Sequence, residues 1–181
     1  MEKPLVGIMM GSASDVPVME NAEKALEELG VPSEMRVLSA HRTPDEVRAY
    51  VKGASGRGIR VLIAGAGMAA HLAGSVSALT DLPVIGVPIN SSDFGGLDAL
   101  LSTVQMPPGI PVASMGVGAA GARNAGLLSA RILALTDQSI ATRYRTFVQK
   151  QKRKVRAADK ALQSERSPIN AKTKRAIREK N

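Results

Sequence analysis

The stretch LVGIMMGSASDVPVMENAEKALEELG, residues 5–30, decides the fold. Leu5 to Met10 is an unbroken apolar run closed by Gly11, the length of a buried strand and too short for a helix. From Asp15 to Leu29 the apolar residues Met19, Ala22, Leu26 and Leu29 recur at helical spacing, and Gly30 stops the pattern. Strand, loop and amphipathic helix therefore follow one another, and the order repeats downstream. Met35 to Leu38 predicts a second strand, and Thr43-Pro44-Asp45-Glu46 predicts a helix that starts at Pro44 with Thr43 as its cap. Ile59 to Ala64 predicts a third strand, leading through a Gly-rich turn at Gly65 to Gly67 into a small-residue helix from Met68 to Thr80. Pro83 to Val87 and Val112 to Val117 read as the last two strands, with helices from Gly96 to Gln105 and from Ala119 to Leu135.

Five β-then-α units in series imply parallel strands joined by right-handed crossovers. The expected fold class is α/β: a three-layer, flavodoxin-like or Rossmann-like parallel sheet of five strands with helices on both faces. Reactive groups in such open sheets gather in the loops past the C-terminal strand ends. The expected organisation is a catalytic α/β domain over residues 1–138, a C-terminal helical extension over 139–166, and a basic, disordered tail over 167–181.

A chain of 181 residues with 44% hydrophobic residues has ample material for one core and excludes general disorder. No stretch approaches the roughly 20 uninterrupted apolar residues of a membrane span, and the N-terminus lacks a secretion-signal pattern. A soluble, cytoplasmic protein with no membrane partner is expected. The absence of cysteine excludes disulfides, thiol nucleophiles and thiolate metal sites, which leaves two histidines as neutral-pH chemists. The net charge of +8 is a property of the tail: residues 143–181 hold 14 Lys or Arg against 3 Asp or Glu, leaving 10 against 13 for residues 1–142. With 2% aromatics, of which Tyr144 and Phe147 lie near the basic run, there is no base-stacking platform, so nucleic acid is not an expected partner.

Three loops carry the chemistry. In Met10-Gly11-Ser12-Ala13-Ser14-Asp15, two hydroxyls and a carboxylate precede a helix; they suit a phosphate, and Ser14 or Asp15 equally suits a helix cap. In Ser39-Ala40-His41-Arg42-Thr43-Pro44, His41 can give and take a proton near pH 7 and Arg42 can hold an anion in a fork. The run Gly65-Ala66-Gly67-Met68-Ala69-Ala70-His71 fits G-x-G-x-x-A, but it follows the third strand and no acidic residue closes the fourth, so it is not read as a dinucleotide fingerprint. Its glycines let a ligand approach the backbone, and His71 faces either that ligand or the core. Two histidines 30 positions apart without clustered carboxylates make no metal site, and no P-loop or nucleophile elbow is present.

Taken together with Gly96-Leu97-Asp98-Ala99-Leu100-Leu101-Ser102-Thr103-Val104-Gln105-Met106-Pro107 and Gly109-Ile110-Pro111-Val112, these loops resemble the N5-carboxyaminoimidazole ribonucleotide mutase family of purine biosynthesis, in order and without a large gap from residue 5 to about 136. The resemblance implies an isomerase that moves a carboxylate from the exocyclic nitrogen of an aminoimidazole ribonucleotide to ring carbon 4, without metal or organic cofactor. It implies His41 as the single general acid and base, and Ser12, Asp15 and Arg42 as substrate-binding positions. It places Ser14, Ser39, Gly67, Ala69, His71 and Leu72 on the pocket wall. Met68 stands where the family usually carries glycine, and Ala73 where proline is common. The resemblance also implies a homo-octamer with sites at subunit junctions, in which the Gln105-Met106-Pro107 region nears a neighbour, and functional coupling to a carbamate-forming synthetase. Gly67, Ala69 and Ala70 are expected to cage the carbon dioxide released midway. Two other readings stay open: an aminoimidazole ribonucleotide carboxylase using free carbon dioxide, and a non-enzymatic phosphate-ligand or nucleic-acid binding module working through the basic tail.

Overall fold

The computed structural model describes residues 3–166. Its chain order is β1 (Val6–Met10), a 3-10 turn (Ala13–Asp15), α1 (Val16–Glu28), β2 (Ser33–Val37), α2 (Pro44–Lys52), α3 (Ala54–Arg57), β3 (Val61–Gly67), α4 (Leu72–Ser77), β4 (Val84–Ile89), α5 (Leu97–Val104), β5 (Ala113–Ser114), α6 (Ala119–Leu133) and α7 (Gln138–Arg166). The strands form one five-stranded sheet in the order β2-β1-β3-β4-β5, and every pair is parallel. This is the flavodoxin-like order, whose direction of winding reverses between β1 and β3.

Every residue of β1 and β4 is buried, as is the first part of β3, which explains why they read as continuous apolar runs rather than as alternating ones. On one face Met9, Leu62 and Ala64 meet Val47, Tyr50 and Val51 of α2 and Leu72, Ala73 and Val76 of α4. On the other, α1 and α6 pack on each other through small residues: a Cβ placed on Gly126 would lie 2.5 Å from the Ala22 carbonyl oxygen and 3.0 Å from Ala25 Cβ. Close backbone packing supplies there the contact that a chain with 2% aromatics lacks in side-chain bulk.

Element bounds depart from the sequence reading in physically explicable places. The Gly-rich segment Gly65 to Gly67 is not a turn but the end of β3, because Ala66 and Gly67 still pair with Pro88 and Ile89 of β4. The following helix starts at Leu72 rather than Met68, since Met68 adopts φ 54°, which a right-handed helix does not accommodate. The fifth strand shrinks from the expected Val112–Val117 to Ala113–Ser114 at the sheet edge. Thr43 does not cap α2, and neither Ser14 nor Asp15 caps α1 through its side chain.

The chain divides into two compact units, one ending at Ala141 and the other beginning at Thr142. The helix expected within 139–166 is present as α7, which begins one residue earlier, and residues 142–166 of the second unit are helical throughout. The tail expected over 167–181 lies outside the described residues. No helix among the described residues is long and apolar enough to cross a membrane.

Candidate active site

At the β1/β3 reversal, the loops that leave the strand ends surround a cavity of about 530 Å³. Every site residue selected from the sequence lies on its wall: Ser12, Ser14 and Asp15 after β1; Ser39, His41 and Arg42 after β2; Gly67, Ala69, His71 and Leu72 at and after the end of β3. Ser91, just past β4, also lines it and was not singled out. Its signal was positional, a hydroxyl in the first turn beyond a strand's C-terminal end. Ala70, expected to help form the cage, is instead buried in the core and absent from the wall.

The first loop closes on itself. Ser12 Oγ accepts the Ser14 backbone N–H at 3.3 Å and the Ser14 hydroxyl at 2.8 Å, so its own hydrogen is left to donate to a ligand. The Asp15 N–H donates to the Ser12 carbonyl at 3.1 Å. The Asp15 side chain is 5% exposed, and burial pushes its carboxyl above the ordinary carboxylate value, opposed by hydrogen bonds from the Ser12 backbone and Ser14 and by the Arg42 charge.

Thr43 explains the second loop. Its Oγ1 accepts the Ser39 N–H at 3.0 Å and donates to the Ser39 carbonyl at 3.2 Å, while its own N–H bonds that carbonyl at 2.9 Å. The residue thus staples the turn carrying His41 and Arg42 instead of capping the helix behind it. The Ser39 hydroxyl accepts from the Arg42 N–H at 3.2 Å and from Arg42 Nε at 3.4 Å, and Arg42 Nη2 donates to the Gly11 carbonyl. One guanidinium therefore ties the second loop to the first and keeps further donors for an anion.

The third loop meets the second through the histidines. His41 Nε2 and His71 Nδ1 lie 2.8 Å apart, with ring centroids 4.9 Å apart and nearly perpendicular at 83°. At that distance one ring nitrogen donates and the other accepts, which fixes the two rings against each other. His71 is thus neither in the core nor free, but orients His41. Met68 stands at the same wall, 61% exposed, in the left-handed region, and is the one non-glycine residue with positive φ among those described. Backbone strain of this kind gathers at functional sites. Gly67 has no room for a Cβ, which would fall 1.7 Å from Ser91 Oγ and 3.0 Å from the Ile89 carbonyl.

Hydroxyl and guanidinium donors on the cavity wall, an imidazole pair and a strand-end crevice suit acid–base chemistry on a small anionic ligand. The family model described as AIR carboxylase matches residues 5–154. An N5-carboxyaminoimidazole ribonucleotide mutase of Pyrococcus horikoshii is 54% identical over 162 residues, covering 90% of each chain. One of Bacillus subtilis is 57% identical over 139 residues, 77% of this chain and 86% of that one. The crystal structure of Treponema denticola PurE superposes with a TM-score of 0.80 at 32% identity, over 88% of this chain and 98% of its own. With residues 5–154 matched and relatives more than half identical along most of its length, this chain belongs to the AIR carboxylase family.

Proposed function

We propose that this chain is an N5-carboxyaminoimidazole ribonucleotide mutase of purine biosynthesis, with His41 as its acid and base. The observation that carries this reading is the 2.8 Å contact of His41 with His71 inside a cavity whose first two loops are tied together by Arg42. Ser12 and Arg42 supply hydroxyl and guanidinium donors for the phosphate, with Ser14 holding the Ser12 hydroxyl in place, and the Asp15 carboxylate accepts hydroxyls of the sugar. These contacts fix the imidazole ring of the substrate against His41.

His41 then delivers a proton to the carbamate nitrogen as the N–C bond breaks; the bonding pair stays on nitrogen and carbon dioxide leaves. Carbon 4 of the ring attacks the trapped carbon dioxide, forming the C–C bond and a carboxylate. His41 removes the proton displaced from carbon 4 and returns to its starting state. The sequence is redox-neutral and returns its proton, so one imidazole suffices. Gly67 and Ala69 keep the wall beside the reacting centre small.

The two histidines are exposed in the single chain, and retaining a gas needs a closed site. An octamer would supply that closure. Leu97, Leu101 and Val104, at spacings of four and three, present an exposed apolar stripe along α5, with Phe94 exposed in the turn before it, that a neighbouring copy would cover. Sedimentation of a stable octamer supports this assembly, and a monomer contradicts it. A cytoplasmic location and coupling to the synthetase that makes the carbamate go with this reading.

The mutase reading and the carboxylase reading part on one assay. Purified protein should convert the carbamate to the 4-carboxylate with bicarbonate removed; turnover that instead requires bicarbonate, with the carbamate left unused, would establish the carboxylase.

A further inference from the structure

The family match ends at residue 154, yet α7 runs unbroken to Arg166. Every residue from Gln149 to Arg166 is exposed. At about 100° per residue, Arg145, Lys152, Arg153, Arg156 and Lys160 fall within an arc of about 100° that runs about 22 Å along the axis. Gln149 and Gln163 share that face. Asp159 sits at its margin and Glu165 on the far side. None of these five cations enters an ion pair among the described residues. The proposed chemistry makes no use of this face, and the unit ending at Ala141 holds the whole cavity wall.

We infer that this face of α7 binds the phosphodiester backbone of a nucleic-acid duplex, without sequence preference. A duplex presents a phosphate charge every ~1.7 Å of its axis, and a row of exposed cations on one helix face is the complementary surface. The want of aromatics argues against single strands, whose binding uses base stacking, but backbone binding to a duplex needs none. The opposite side of the helix argues against a lipid surface: past Val148 its large apolar residues are Val155 and Leu162, with no aromatic between Lys150 and Arg166.

The test uses the full chain and a labelled duplex of roughly 30 base pairs in two unrelated sequences, read by fluorescence anisotropy. Both sequences should bind equally, and affinity should fall a few hundredfold between about 50 and 200 mM salt, the slope expected for about five released counterions. Replacing Arg145, Lys152, Arg153, Arg156 and Lys160 with glutamine should weaken binding at least tenfold and leave carbamate turnover unchanged. Exchanging each Lys for Arg and each Arg for Lys should preserve binding. The inference is overturned by no binding at low salt, by full binding in the glutamine variant, or by binding confined to vesicles of anionic phospholipid and lost on Val155→Gln with Leu162→Gln.

Discussion

Gly67→Ala tests how tightly the site is built. The added Cβ would lie 1.7 Å from Ser91 Oγ, 2.9 Å from Ser91 Cβ and 3.0 Å from the Ile89 carbonyl oxygen. Rotation of the Ser91 hydroxyl removes the first clash only. The other two require the β3 and β4 ends, paired at Gly67 and Ile89, to separate by a few tenths of an ångström. Overpacking of this kind costs about 1–3 kcal/mol, or a fall in Tm of roughly 2–12 °C for a chain of this size. Activity should fall further than stability, since the same shift moves the loop bearing His71 relative to His41, and a displacement approaching 1 Å costs up to ~100-fold. Thermal melts and kcat/KM measured together read both effects. Ser91→Gly in the same chain should restore part of each loss, because it removes the Cβ contact and leaves the carbonyl. Gly56→Ala is the control: nothing lies within 4 Å of its Cβ, so the helix gains up to ~1 kcal/mol. A Gly67→Ala enzyme with unchanged melting and kcat/KM would refute the packing argument.

Two further outcomes are expected. The carboxyl of Asp15 holds its proton to higher pH in the folded chain than in the unfolded one, chiefly because it is buried, so its ionisation costs native stability above the ordinary value of 3.8 and costs none below it. Asp15→Asn should therefore melt above the parent at pH 7, with the gap closing towards pH 4, while ribonucleotide affinity drops; a gap that widens on acidification would reverse the sign of the argument. Gly126→Ala sets a gain of about 1 kcal/mol in helix propensity against a Cβ 2.5 Å from the Ala22 carbonyl oxygen. The clash is with backbone and cannot rotate away, so urea denaturation should show a net loss of up to about 2 kcal/mol; a stabilised variant would mean that α1 and α6 have slack.

Much of the fold was written in apolar runs. Val6 to Met10 and Val61 to Ala64 are buried on both faces of a parallel sheet, and such strands carry a signal that needs no partner to read. What pattern could not supply was where a loop's polar groups spend their hydrogen bonds. Thr43-Pro44-Asp45-Glu46 has the form of a capped helix start, but the Thr43 hydroxyl is taken by Ser39 across the His41 turn. Gly65 to Gly67 has the composition of a turn, and pairing with β4 makes it strand. The residues that line the cavity were legible because strand ends in this topology converge, which places Ser12, His41 and His71 together without any sequence proximity. The direct contact of two histidines 30 positions apart was not legible, since it depends on the left-handed turn at Met68 that brings His71 round. Ser91 escaped because a hydroxyl in the polar run Asn90-Ser91-Ser92-Asp93 resembles any other.

The claim on which the rest depends is that the His41 imidazole ferries the proton. Conversion of the carbamate to the 4-carboxylate, followed by ultraviolet absorbance, should fall ~100- to 10,000-fold in His41→Asn, while melting temperature and ribonucleotide affinity stay near those of the parent. A folded His41→Asn enzyme that keeps a tenth or more of parental turnover would contradict the account.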